Sequence, residues 1–201
     1  MRAEATTPAK GRGRPSIVDA MAISEAAIAL WHAHGYANTG WREISDATGV
    51  STRTLMRHFS SRAELAWIGV QPATERMAAA APLVPLDIPL GDALRQLISA
   101  SVTRDPKVTT LGPDFFSLVS SEPEIAALAP SAHNPWITEV ASFIAARRPD
   151  LPPAITRAIA TAYQSALFAA LTEWAENGNT EARDAVDTVD AMLAHLGPLG
   201  E

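Results

Sequence analysis

From Gly49 to Arg62 the chain reads GVSTRTLMRHFSSR, fourteen residues with three arginines, a histidine, several hydroxyls and no acid. Such a surface is equipped to approach a polyanion. Arg42 and Arg53 are assigned to base edges, because a rigid guanidinium fork matches guanine O6 and N7. Thr39, Thr52, Thr54, Arg57, His58 and Arg62 are assigned to phosphates, assisted by backbone N–H groups where helices start near Ser51 and Arg62. A surface salt bridge for Arg57 and a helix-capping role for His58 are the ordinary alternatives. Lys10, Arg12 and Arg14 form a basic arm suited to an adjacent minor groove, or else a solubilising tail.

Catalytic chemistry finds no comparable support. The chain has no cysteine, and its five histidines (His32, His34, His58, His133 and His195) show no metal-ligand spacing with carboxylates. Neither a glycine-rich phosphate loop nor a G-x-S-x-G elbow occurs. The expectation is therefore no enzyme, no catalytic residue, no metal and no cofactor.

Two short helical patterns position the basic residues. In the first, Trp41, Ile44 and Ala47 are expected to form one buried stripe, with Arg42, Glu43 and Asp46 outside. Gly49 breaks it, Ser51 caps the next helix, and Leu55 and Phe59, four apart, face the same core. This is how a helix-turn-helix reads in one dimension. Before it, a helix from an Asp19 cap to His34 carries Ile23, Ala26, Ala27, Leu30 and Trp31 on one face and stops at Gly35, and Thr39 is placed to cap its successor. After it, Ser61-Arg62-Ala63-Glu64 has capping-box spacing and opens a helix running through Leu65 and Ile68 to Met77.

The formal net charge of −6 conceals a reversal of sign. Residues 1–71 carry 8 Lys/Arg against 6 Asp/Glu, net +2, whereas residues 72–201 carry 8 against 16, net −8. A basic head on an acidic body is the consequence, with the body repelling DNA and orienting the head. With 47% apolar residues a sizeable core is available, and no apolar run approaches the roughly 18 residues of a membrane span. No apolar signal region follows the basic N-terminus, so a cytoplasmic location is expected.

Pro82, Pro85 and Pro89 punctuate a connector. Further helices are expected over about Leu90 to Arg104 (stripe Leu94, Leu97, Ile98, Val102), Pro135 to Arg148, Pro153 to Asn177 and Thr180 to Leu196. Broken helix is expected from Val108 to Pro130, where Phe115, Phe116, Leu118 and Val119 cluster. The Pro153–Asn177 segment is apolar over most of its circumference, too wide a band for one-sided packing. With the stripe Ala182, Val186, Val189, Leu193 and Leu196 behind it, this pair is suited to a hairpin that meets a twofold mate as a four-helix bundle, although a hairpin packed only within its own chain fits the same pattern. Phe115, Phe116, Trp136, Phe143, Tyr163 and Trp174 are candidates for a ligand cavity, with His133 and Tyr163 as polar handles; aromatics in amphipathic helices are otherwise ordinary core. The scarcity of inward charges points to a fairly apolar effector.

From Gly13 to Leu65 the residues Gly13-Arg14-Pro15, Gly35-Tyr36, Thr39, Ile44, Gly49-Val50-Ser51, Thr54-Leu55, Arg57-His58-Phe59 and Ser61-Arg62-Ala63-Glu64-Leu65 stand at a spacing that resembles the TetR family of bacterial transcriptional regulators. The resemblance implies an all-α homodimer joined through its last two helices. It divides the chain into a basic arm at 1–15, a DNA-binding head at 16–62 and a ligand-binding and dimerisation body at 63–201. Its partners would be a near-palindromic double-stranded operator and a small effector, most simply as a repressor; a module of the same fold that binds ligand or protein without an operator is the alternative. Met56 stands where the family usually has a phosphate-binding Tyr, and Arg53 where many members have Gly.

Overall fold

Asp19 accepts a hydrogen bond from the Ala22 N–H at 3.1 Å and starts the first helix, α1 (Ala20–His34), which Gly35 ends at φ 82°. In the computed structural model, which describes residues 19–103, 105, 108, 112–177 and 182–196, every regular element is helical. The expected buried face of α1 is rotated: Ile23, Ala27 and Trp31 are buried as the pattern implies, but Ser24 and Ile28 join them while Ala26 and Leu30 are half-exposed. Ser24 is buried because its hydroxyl donates to the Leu65 carbonyl at 2.6 Å, fastening α1 to a later helix.

The helix-turn-helix follows as α2 (Trp41–Thr48) and α3 (Thr52–His58). Gly49 sits at φ 68°, ψ 5°, a left-handed turn that glycine enters without steric cost, and its N–H bonds to the Ser45 carbonyl at 2.9 Å. Ser51 caps α3 through the Thr54 N–H at 3.2 Å. Ile44 and Leu55 are each 0% exposed and Phe59 is 6% exposed, so these three join the shared core. Trp41 is only half-buried and Ala47 is exposed, which corrects the expected stripe. Each three-residue step falls about 60° short of a full turn, so Ala47 has rotated off the face Ile44 occupies.

The cap of α2 also differs from expectation. Gly40, not Thr39, is the cap residue, and the Glu43 carboxylate accepts its N–H at 2.8 Å. Thr39 turns inward instead, donating its hydroxyl to the Gly35 carbonyl at 3.1 Å.

The single helix expected from Ser61 to Met77 is two: α4 (Arg62–Ala66) and α5 (Val70–Ala80). Between them Gly69 adopts φ 114°. Pro72 explains the break, since a proline deep in a helix removes an N–H and clashes with the carbonyl four residues back, whereas in a first turn it is tolerated. Ser61 caps α4 as expected, but Glu64 reaches past it to the N–H and hydroxyl of Ser60, both at 2.7 Å.

After a 3-10 turn (Ala81–Leu83) and the proline-rich connector come α6 (Leu90–Val102), α7 (Pro113–Ser121), α8 (Pro123–Ala126), α9 (Ala129–Ala132), α10 (Asn134–Arg147), α11 (Pro153–Glu176) and α12 (Ala182–Ala194). Helix α11 is the axis of this body, packed against α7, α10 and α12, while α5 and α6 close the other side. The body meets the head where α7 touches α1 and α8 touches α4. Arg147 holds the connector down, donating to the Val84 and Pro85 carbonyls at 2.9 and 2.8 Å. No helix among the described residues is long and apolar enough to cross a membrane.

The Gly49 turn yields a direct test. A Cβ at this position meets no atom within 4 Å, so a side chain here is penalised by backbone conformation alone. Gly49→Ala is expected to lower unfolding stability by about 1–2 kcal/mol, and Gly49→Asn by less, because Asn enters the left-handed region more readily. Urea titrations of the three proteins check this.

Candidate nucleic-acid interface and effector cavity

The basic face is built by α3 packed on α2, which in turn packs on α1, and Ile44 and Leu55 go into the shared core. Arg53 and Arg57, four apart, share the exposed side of α3 with Met56, which is 61% exposed between them. Arg42 is exposed in the first turn of α2. Among the described residues none of these arginines enters a salt bridge. Arg57 instead lies 3.5 Å from the ring of exposed His58, which caps no helix end, since Phe59 is the C-cap of α3. Thr52 and Thr54 are half-exposed at the start of α3, and the Thr54 hydroxyl pairs with that of Ser51 at 2.9 Å. Glu43, next to Arg42 in the chain, is occupied: hydrogen bonds from the Glu43 and Gly40 N–H groups hold its carboxyl below its usual pKa, committed to the start of α2.

Two of the residues assigned to phosphates stand apart from this face. Thr39 is 1% exposed and its hydroxyl is used at Gly35. Arg62 is half-buried, donates to the Tyr36 carbonyl at 3.0 Å and to that of Thr39, and stacks its guanidinium 4.5 Å from the Tyr36 ring centroid. Both fix the loop between α1 and α2. Tyr36, part of the Gly35-Tyr36 pair of the sequence pattern, is the centre of that loop: it is 4% exposed and lies edge-on to Trp31 at 5.1 Å. Lys10, Arg12 and Arg14 lie outside the described residues.

In the body a partly open cavity of about 80 Å³ is lined by Phe115, Phe116, His133 and Trp136, four of the residues singled out from the sequence. Phe143 and Tyr163 stand elsewhere. Phe143 lies 4.6 Å under the Arg147 guanidinium, and Tyr163, 0% exposed, donates to the Leu196 carbonyl at 3.3 Å, tying α11 to the segment after α12. Trp174 is buried core beside Phe116 at 6.1 Å. The cavity's other aromatics are Trp67 and Phe168, with Gln164 and Asp105 as polar lining. Trp67 sits at the helix break, so one helix over 61–77 would not turn its ring inward; Phe168 lies in α11 but outside the apolar band that the sequence pattern picks out there. Asp105 is paired with Arg76 of α5.

The Tyr36 hydroxyl provides a pH test of this geometry. Burial first, then the facing Glu124 carboxylate, pushes its pKa up to about 12 from 10.0, and burial likewise raises that of Tyr163. A raised pKa favours the neutral phenol in the folded state, so its stabilising effect is complete below pH 10 and is lost as pH rises toward 12. A tyrosinate absorbance titration of the folded protein should show neither of its two tyrosines half-ionised at pH 10, with urea restoring ionisation there.

Comparison with known proteins places this architecture. Residues 23–66 match the model of bacterial regulatory proteins of the tetR family, and residues 88–198 match that of the MftR C-terminal domain. A candidate mycofactocin biosynthesis transcriptional regulator, MftR, from Mycobacterium tuberculosis is 28% identical over 125 residues, which are 62% of this chain and 63% of that protein, so the match spans less than two thirds of the relative's length. Among solved structures, a transcriptional regulator from Pseudomonas aeruginosa PAO1 superposes with a TM-score of 0.61 at 17% identity, covering 94% of this chain and 97% of its own. The fatty acid degradation regulator FadR from Bacillus halodurans gives a TM-score of 0.57 at 15% identity, covering 85% and 95%. These structural likenesses speak to the fold, and the family models, one over the head and one over more than half of the chain, to descent: the protein belongs to the TetR family of bacterial regulatory proteins.

Proposed function

We propose that the chain is a sequence-specific transcriptional repressor that binds a near-palindromic operator as a homodimer and releases it when a small, mainly apolar effector occupies the body. The carrying observation is the exposed side of α3, where Arg53 and Arg57 form no salt bridge among the described residues, with Arg42 exposed in the first turn of the adjoining α2. In this reading Arg53 and Arg42 address guanine edges, and Thr52, Thr54, Arg57 and His58 anchor phosphates. Thr39 and Arg62 act from behind as positioning residues, a revision that follows from their hydrogen bonds within the head. Met56 offers a thymine methyl an apolar contact in place of the tyrosine hydroxyl its relatives use. The arm of Lys10, Arg12 and Arg14 follows the adjacent minor groove, and the protein works in the cytoplasm beside the chromosome.

Dimerisation is supported by the outer side of α11. Ile155, Ala158, Ala162, Ser165 and Ala169 are all exposed, at the three- and four-residue spacing of a helix–helix seam. One head buries too little surface to hold a half-site tightly, so two heads on a twofold axis are the economical solution. An effector that favours a dimer with the wrong head spacing lowers operator affinity by population shift.

A gel shift with the full-length chain and duplexes flanking its own coding region, together with duplexes flanking mycofactocin biosynthesis genes where the genome carries them, tests the reading. Retardation at submicromolar protein supports it; uniform, salt-labile binding to every duplex identifies a module of this fold without an operator. Once an operator is in hand, Arg53→Ala should cost about 1–3 kcal/mol and relax discrimination at one base pair. Arg57→Ala should weaken binding to all sequences alike and reduce the salt slope by about 1. Met56→Tyr should tighten binding by about 1 kcal/mol, and fluorescence anisotropy on matched and mismatched duplexes measures all three.

A further inference from the structure

One sulfur atom stands on the DNA-reading side of the head. Met56 is 61% exposed, the one large apolar side chain of the head left in solvent among the described residues. The core takes Leu55 and Phe59 on either side of it and leaves Met56 out, so packing does not account for its place. The other described methionines are sheltered: Met77 is 0% exposed, and Met21 and Met192 are half-buried. A thioether is oxidised according to its access to solvent, which singles out Met56. The chain has no cysteine, so no thiol within it competes for an oxidant.

The surroundings select the oxidant and give its product an effect. Arg53 lies three residues before Met56 and Arg57 directly after it, both exposed, and no acid occurs from Gly49 to Arg62. A basic surface of this kind concentrates anions, and hypochlorite is an anion that donates oxygen. Its oxygen passes to the thioether: the S–O bond forms as the O–Cl bond breaks, chloride leaves with the bonding pair, and sulfur loses two electrons. The product is a polar, chiral sulfoxide. A thioether sulfur is a weak acceptor, whereas a sulfoxide oxygen is a strong one, and its helix-surface neighbour three positions back is the guanidinium of Arg53. Donors drawn to the sulfoxide are lost to a guanine edge, and a polar group now stands where a thioether would meet a thymine methyl.

We propose that Met56 is an oxidation site that switches operator binding: hypochlorite converts its exposed thioether to the sulfoxide on the DNA-reading side of α3, and affinity stays low until a methionine sulfoxide reductase restores the thioether. This rests on the reading of α3 as the helix that enters DNA. DNA that covers Met56 also shields it, so the oxidant acts on the free protein and keeps it from rebinding.

The test titrates the full-length chain with sodium hypochlorite. Peptide mass spectrometry follows each methionine, and fluorescence anisotropy follows affinity for a duplex retarded in the gel shift. Met56 should be oxidised severalfold faster than Met21, Met77 and Met192, and affinity should fall about tenfold in step with it. The two methionine sulfoxide reductases, one for each epimer, should restore binding together. Met56→Leu, compared only with itself before and after the oxidant, should keep the affinity it starts with. Equal oxidation of the sheltered methionines, undiminished binding once Met56 is fully oxidised, or an equal loss in Met56→Leu overturns the switch. If the untreated protein retards no duplex, the DNA-binding reading falls and the switch falls with it; binding that survives oxidation of Met56 removes the switch alone.

Discussion

The loop between α1 and α2 has no ladder of its own, and side chains supply most of its hydrogen bonds. Asn38 donates to the His34 carbonyl, Thr39 to that of Gly35, and Arg62 crosses more than twenty residues to reach Tyr36 and Thr39. An arginine spent this way gives up one charge at the surface, but it also stacks on the Tyr36 ring and holds the chain where α2 must begin. The orientation of α2 then fixes α3, through the Gly49 turn and the core of Ile44 and Leu55. The exposed arginines can therefore stand free of acids, because the fold is secured behind them by groups already satisfied.

The same economy joins head to body. Ser24 bonds the Leu65 carbonyl at the base of α4, and two residues further on Trp67 bonds the Ile125 carbonyl of α8. The C-terminal end of α4 thus carries both anchors, Leu65 bonded to the head's first helix and Trp67, its C-cap, in the cavity wall. Gly69 and Pro72 interrupt the chain immediately afterwards, so α4 and α5 run as separate helices. A continuous helix to Met77 would have bound the two regions as one stiff rod.

Much of this was legible in the residues. Asp19, Gly35, Gly49 and Ser51 act locally, through backbone freedom or a cap within three residues, and each sits where the pattern placed it. The apolar cluster of α7 and the stripe of α6 are equally plain, because burial there follows a helical period. Long-range hydrogen bonds were not legible: nothing near Arg62 or Thr39 in sequence reveals that a carbonyl many residues away, or one turn back in the fold, claims the side chain. Trp67 was hidden for a different reason, since Gly69 and Pro72 signalled the break but Leu65, Ile68 and Met77 continued the helical spacing across it. Tyr163 and Phe143 show how weakly an aromatic announces its surroundings, one filling core against Leu196 and the other carrying an arginine.

A free basic face, an exposed seam on α11 and a head positioned from within converge in the proposal of paired heads reading symmetric DNA. Selection of the full-length chain against a pool of randomised duplexes, followed by sequencing, examines that convergence directly. The account predicts enrichment of an inverted repeat whose half-sites lie about one helical turn apart or a simple multiple of it. Enrichment of a single unsymmetric site, or no enrichment over the starting pool, would contradict it.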